Sequence, residues 1–178
     1  SGLVVKVWDQ PFILPEANID EMVRIKPEEI MARINKVHNA QALRLREMIV
    51  PLVDLKNLLL GNSNEWVSIS SRAENAEPLR ILILKYGSSR FGLIVDTVEN
   101  MEEIVVKPLP QYLKRMKAFS GATIMGNGKV ALILDVGGLI QKAALQNYEE
   151  KVEERRTESG ETTEEGDIQN LLVVDNGT

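Results

Sequence analysis

No cysteine occurs in these 178 residues, so neither a disulfide framework nor a thiolate metal site is available, and a reducing compartment is the natural setting. His38 is the only histidine, which excludes multi-histidine metal sites; with no evident partner in its polar stretch it reads as a surface residue, not a triad member. Aromatic residues make up only 4% of the chain, too few for a nucleic-acid stacking platform. No apolar run approaches the ~20 residues needed to span a bilayer, and Ser1-Gly2-Leu3 lacks the charged and apolar regions of a signal peptide. Neither Gly-x-Gly-x-x-Gly nor Gly-x-x-x-x-Gly-Lys appears, so no phosphate-cradling loop is indicated. An excess of basic charge is missing as well. The net charge of −5 resides in residues 145–166, where eight glutamates outnumber Lys151, Arg155 and Arg156, and the rest of the chain is neutral. A neutral body argues against nucleic-acid binding.

What the chain has is an internal repeat, the pattern that constrains architecture most. Leu3, Val5, Val7, Phe12, Leu14, Ile19, Met22 and Ile25 recur 79 residues later as Leu82, Leu84, Tyr86, Phe91, Leu93, Val98, Met101 and Ile104. At a spacing of 81, Ile49-Val50-Pro51-Leu52-Val53-Asp54 matches Val130-Ala131-Leu132-Ile133-Leu134-Asp135, and Leu58-Leu59 matches Leu139-Ile140. Residues 3–144 therefore read as one β-rich module built twice. Alternating apolar positions predict strands over 3–7, 12–14, 22–25, 40–45 and 48–53, then 79–86, 91–95, 101–107, 122–125 and 129–134. Short helices are expected over 27–34, after Asp54 to Gly61, around 112–116 and after Asp135. Gly126-Asn127-Gly128 is the strongest hairpin signal. Short strands at regular spacing suggest two small barrels, not a βαβ sheet. The expected organisation is a module over 1–144, comprising a first barrel over about 3–61, a connector over 62–78 and a second barrel over about 79–144. An acidic helical or linker segment follows over 145–166, then an apolar strand over 167–178.

Candidate chemistry is sparse. Asp54 and Asp135 are repeat equivalents, the arrangement of an aspartic-protease dyad. Their triplets, Asp54-Leu55-Lys56 and Asp135-Val136-Gly137, lack the Asp-Thr/Ser-Gly such a site needs, whereas an N-cap before a short apolar helix suits both. Trp8 could stack on a ligand, and Trp66 reads as a cover for an open barrel end. Met22, Met101 and Met125 read as core filler, with an adaptable docking surface as the other use of methionine. No catalytic, metal or cofactor-binding residue is expected.

Several of these stretches resemble a known family. Leu3–Val7, Phe12–Pro15, Ala17–Asp20, Ile49–Leu55, Phe91–Asp96, Ile104–Leu109 and above all Phe119–Val136 resemble the CheW-like domain, in the version found as the C-terminal regulatory domain of the chemotaxis histidine kinase CheA. The resemblance implies a mainly β fold of two five-stranded SH3-like barrels related by a pseudo-twofold axis. It also implies a non-catalytic regulatory and scaffold role. The implied partners are the coupling protein CheW, chemoreceptor cytoplasmic tips and other domains of the kinase, in cytoplasmic arrays beneath the inner membrane, without nucleic acid, membrane insertion or cofactor. A two-barrel ligand- or nucleic-acid-binding module is the alternative reading.

Two expectations concern surfaces. Leu3 and Val5 in the first copy, with Leu82 and Leu84 in the second, are candidates for partner binding, because small barrels leave some strand surface uncovered. Plain core is the competing reading of the same four. Leu171-Leu172-Val173-Val174 resembles the opening of the module, so a further CheW-like domain could begin there; a receiver domain is the rival. An unpaired apolar strand would also favour self-association.

Overall fold

A computed structural model describes residues 1–38, 40–61, 64–144 and 155–159. The expected strand at 167–178 and most of the acidic segment lie outside the described residues, although 155–159 is helical. Eleven strands are described: β1 (Gly2–Val7), β2 (Gln10–Pro15), β3 (Ile19–Ile25), β4 (Ile34–Val37), β5 (Ala40–Leu45), β6 (Met48–Asp54), β7 (Leu79–Tyr86), β8 (Ser89–Val95), β9 (Thr97–Glu102), β10 (Phe119–Ile124) and β11 (Val130–Leu134). Helices α1 (Ile30–Arg33), α2 (Leu55–Leu60), α3 (Glu65–Glu74) and α4 (136–144) are set between or after them. The fold is mainly β, in two sheets.

The repeat is visible in the topology, but the two copies are interleaved. One sheet runs β10-β11-β2-β1-β9 and the other β3-β7-β8-β6-β5-β4. Under the repeat, β1, β2, β3, β5 and β6 correspond to β7, β8, β9, β10 and β11, and the two strand orders then coincide. Each copy's opening hairpin has joined the other copy's remaining strands. Consecutive barrels over 3–61 and 79–144 are therefore not what forms: β1 and β2 belong with β9–β11, and β7 and β8 with β3–β6. The chain crosses between lobes at two repeat-related joints, 15–19 and 95–97. The sixth strand of the larger sheet, β4, pairs Asn35 with Ala42; in the other lobe the equivalent Ala122 meets only Lys107, in a single bridge.

Interleaving explains why the opening strands are apolar on both faces. Val4 and Ile13 face one lobe's interior with Met125, Ala131 and Ile133, and Ile81, Ile83 and Ile94 face the other's with Leu43, Leu52 and Ile69. Their alternate neighbours Leu3, Val5, Phe12 and Leu14 meet Leu82, Leu84, Phe91 and Leu93 in a third core between the lobes. Strands buried on both faces lose the apolar–polar alternation of one-sided sheets.

The connector departs from expectation. It holds α3, whose start is capped by Asn64, and Ile69 is fully buried in the neighbouring lobe. Ile69, not Trp66, closes that lobe; Trp66 is exposed. The helix expected around 112–116 shrinks to one 3-10 turn, Gln111–Leu113, next to Pro110. Gly61 ends α2 at φ 77°, a conformation that costs glycine little.

Candidate partner-binding surfaces

The four candidate docking residues are not on a surface. Leu3 is 8% exposed, and Val5, Leu82 and Leu84 are wholly buried. All four lie in the core between the lobes, where the second hairpin covers the face that an isolated barrel would have left bare. Each full burial of this kind contributes roughly 1.5–3 kcal/mol to stability, so these residues hold the lobes together.

The uncovered apolar surface is elsewhere. In β6 the residues 49, 51 and 53 share one face; Val53 is covered at the seam, while Ile49, at the hairpin end, is 66% exposed. The repeat equivalent in β11 behaves in the same way: Leu132 packs on the seam and Val130 is 58% exposed. Val130 stands opposite Ile124 of β10, itself exposed, so two branched side chains sit side by side in water. Met22 and Met101, also repeat equivalents, are exposed on the outermost strands β3 and β9, and only Met125 is core filler. His38 is exposed, at φ 55°.

Asp54 and Asp135 both meet the start of a helix. Asp54 Oδ1 accepts the N–H groups of Lys56 and Asn57, and Asp135 Oδ1 accepts the Gly138 N–H. Asp54 does more. It is fully buried, and its Oδ2 accepts from the Ser68 hydroxyl and from Arg72 at 3.1 Å. The same guanidinium reaches Asp96 Oδ1 at 3.0 Å, which Lys56 also approaches at 3.2 Å. Asp96 Oδ2 accepts the Trp8 N–H, and the Asp96 N–H donates to the Lys6 carbonyl. Asp96 thus pins the joint where β8 of one lobe passes to β9 of the other, and it ties α3 to the β1–β2 turn. That turn holds Trp8 at φ 52° where its repeat equivalent is Gly87, a left-handed conformation that costs a non-glycine residue energy.

The charges at this joint should register in pH dependence. Burial pulls the Asp96 carboxyl up from its ordinary value of 3.8, but the Trp8 N–H, Lys56 and Arg72 outweigh it and hold the group below that value. A carboxylate depressed in the folded state contributes stability that is complete above its unfolded value and is lost as pH falls through the lower folded one. Unfolding followed by urea is expected to show wild type losing stability on acidification below about pH 4 more steeply than Asp96→Asn. Parallel profiles would remove Asp96 from the account.

The geometry now has relatives to stand beside. The family model of the CheW-like domain matches residues 1–144. The chain belongs to the CheW-like domain family. It is 34% identical over 140 residues to the chemotaxis protein CheA of Bacillus subtilis, covering 79% of this chain and 19% of that protein. It is 31% identical over 143 residues to the sensor histidine kinase CheAY of Helicobacter pylori, covering 80% of this chain and 16% of that one. It therefore spans a fifth or less of the length of these curated relatives. In fold it is similar to the crystal structure of the scaffolding protein TtCheW from Thermoanaerobacter tengcongensis, with a TM-score of 0.58 and 22% identity over 78% of this chain and 90% of that one.

For this CheW-like domain, the residues that reading the sequence missed carried a faint signal. Ile49 and Val130 are apolar in both copies yet out of phase with Val50, Leu52, Ala131 and Ile133, which point into the lobe interiors. Arg72 carried none, because α3 has no counterpart in the sequence match. Among the described residues no cluster of His, Asp or Glu has metal-site geometry, and no helix is long and apolar enough to cross a membrane.

Proposed function

We propose that this CheW-like domain is the regulatory and scaffold part of a CheA-type chemotaxis histidine kinase, and that it couples the kinase to the adaptor CheW and to chemoreceptor tips in cytoplasmic arrays. Family membership and the named relatives support the chemotaxis role, and their matched portion is a regulatory domain without catalytic residues. The observation that carries the docking mechanism is the repeated bare apolar end: Ile49 on one lobe, Val130 with Ile124 on the other. Two equivalent ends on opposite lobes let one molecule hold two neighbours, as building an array requires. A head-to-tail contact between unlike ends propagates; an isologous one closes after two.

Titration calorimetry with the coupling protein of the same organism tests this. Ile49→Asp or Val130→Asp is expected to weaken binding by about 30-fold or more, since burying an unpaired carboxylate at an interface centre costs upwards of ~2 kcal/mol. The melting temperature should stay within a few degrees of wild type, both side chains being exposed. Unchanged affinity in both variants would remove the bare ends as docking sites.

A further inference from the structure

The two joints between the lobes are related by the repeat, and among the described residues only one of them holds an ion pair. At the first, the carboxylate of Asp54 takes the Arg72 guanidinium, which bridges to Asp96, while Lys56 sits 6.0 Å from the centre of the Trp8 ring. At the second, Asp135 replaces Asp54, Gly137 replaces Lys56, and Ala17 replaces Asp96. No ion pair to Asp135 forms among the described residues. An open cleft of about 250 Å³ lies there instead, lined by Asp135 with Pro15, Asn18, Tyr86, Ser120 and Gly137. That is far more than the ~30 Å³ share of one water.

We infer that this second joint is a binding site for an arginine side chain of another protein, inserted beside Asp135 as Arg72 is inserted beside Asp54. The lining fits a guanidinium. It holds one carboxylate and no cationic group. Asn18 commits its Nδ2 to the Lys85 carbonyl, which leaves its Oδ1 to accept, and the Ser120 hydroxyl offers a further oxygen. Acceptors spread around a cleft suit the five planar donors of arginine better than the compact ammonium of lysine. The Tyr86 ring, which lies against Gly137, adds an aromatic wall to the cleft. Gly137 carries no side chain, and the Tyr86 ring packs directly over it, where Lys56 leaves the backbone at the first joint.

The sequence that follows does not repeat the residue types of α3. At the spacing of 81, Arg72 falls on Glu153 and the buried Ile69 on Glu150, so the register that fills the first joint would bring a second carboxylate to Asp135. A cation from outside resolves that difference. The site is independent of which array partner the domain has, and its test does not involve one.

The probe is Nα-acetyl-arginine N-methylamide, added to the 15N-labelled full chain, with the neutral isostere built on citrulline as control. Saturable shifts of the Gly137 and Gly138 amides are expected, with a dissociation constant on the order of millimolar, as a single side chain allows. The citrulline compound should produce none. Asp135→Asn, which retains the helix cap, should weaken binding at least tenfold. Ala17→Asp, at an exposed position, restores the missing counterpart of Asp96 and should tighten it several-fold. Absent shifts, equal shifts with citrulline, or binding indifferent to both substitutions would overturn the inference. So would a site that opens to the probe only in a Lys151→Gln, Arg155→Gln, Arg156→Gln variant, since the occupant would then be this chain itself.

Discussion

Asp54→Ala is expected to cost about 3–5 kcal/mol, and Asp135→Ala only about 1 kcal/mol, although the two residues are repeat equivalents at matching helix starts. Both variants lose a cap. Only the first also takes away the buried one of a cation's two counterions, because Asp54 is wholly buried and shares the Arg72 guanidinium with Asp96. Removing Asp54 leaves the buried guanidinium with only the part-exposed Asp96 to balance it, and an under-compensated buried charge costs more than the pair contributes. Asp54→Asn keeps the cap and should still destabilise, since the amide cannot replace the charge. Adding Arg72→Met to Asp54→Asn should recover a good part of the loss, as no buried charge then remains on that side. Urea unfolding of the four variants checks this. Equal losses at 54 and 135 would show that the ion pair adds nothing beyond capping. With a total stability of about 5–15 kcal/mol usual for such domains, Asp54→Ala lies near the edge of folding, and the double variant keeps the test readable.

Leu84→Ala is expected to cost about 2–5 kcal/mol, whereas Ile49→Ala should change stability by no more than about 0.5 kcal/mol. Leu84 is fully buried between the lobes, against residues from both opening hairpins; truncation leaves a cavity in a core that two sheets hold apart. Ile49 is mostly in water already. The two should separate in binding as well. Leu84→Ala should lose the coupling protein only in proportion to the fraction unfolded, measured by circular dichroism at the same temperature. Binding lost from a fully folded Leu84→Ala protein would return Leu84 to the docking surface.

The contrast shows how far each kind of position was legible. Leu84 and Ile49 are both branched, apolar and matched in the other copy, and composition cannot rank them. Phase separates them in part: Ile49 falls out of step with Val50 and Leu52. Phase misleads for Leu82 and Leu84, since a strand buried on both faces has no polar side to compare. Trp66 was misread for a related reason. The large side chain was credited with closing the lobe, while the smaller Ile69, three residues on, does so because the helix turns it inward.

The sequence by itself determined the double module, the mainly β class, the Asn127 hairpin, the capping positions at Asp54 and Asp135, and the family. These depend on local spacing and on which residue types recur, and both are written along the chain. The exchange of opening hairpins, the core at their seam, and the Arg72 bridge from Asp54 to Asp96 were decided by the tertiary structure alone. Strand pairing is a choice among distant partners whose hydrogen bonds are chemically alike, and β1–β2 could serve either lobe by its residues. Burying both faces of two hairpins at once removes more apolar surface from water than two separate barrels would, and that gain appears only when the whole chain has met itself.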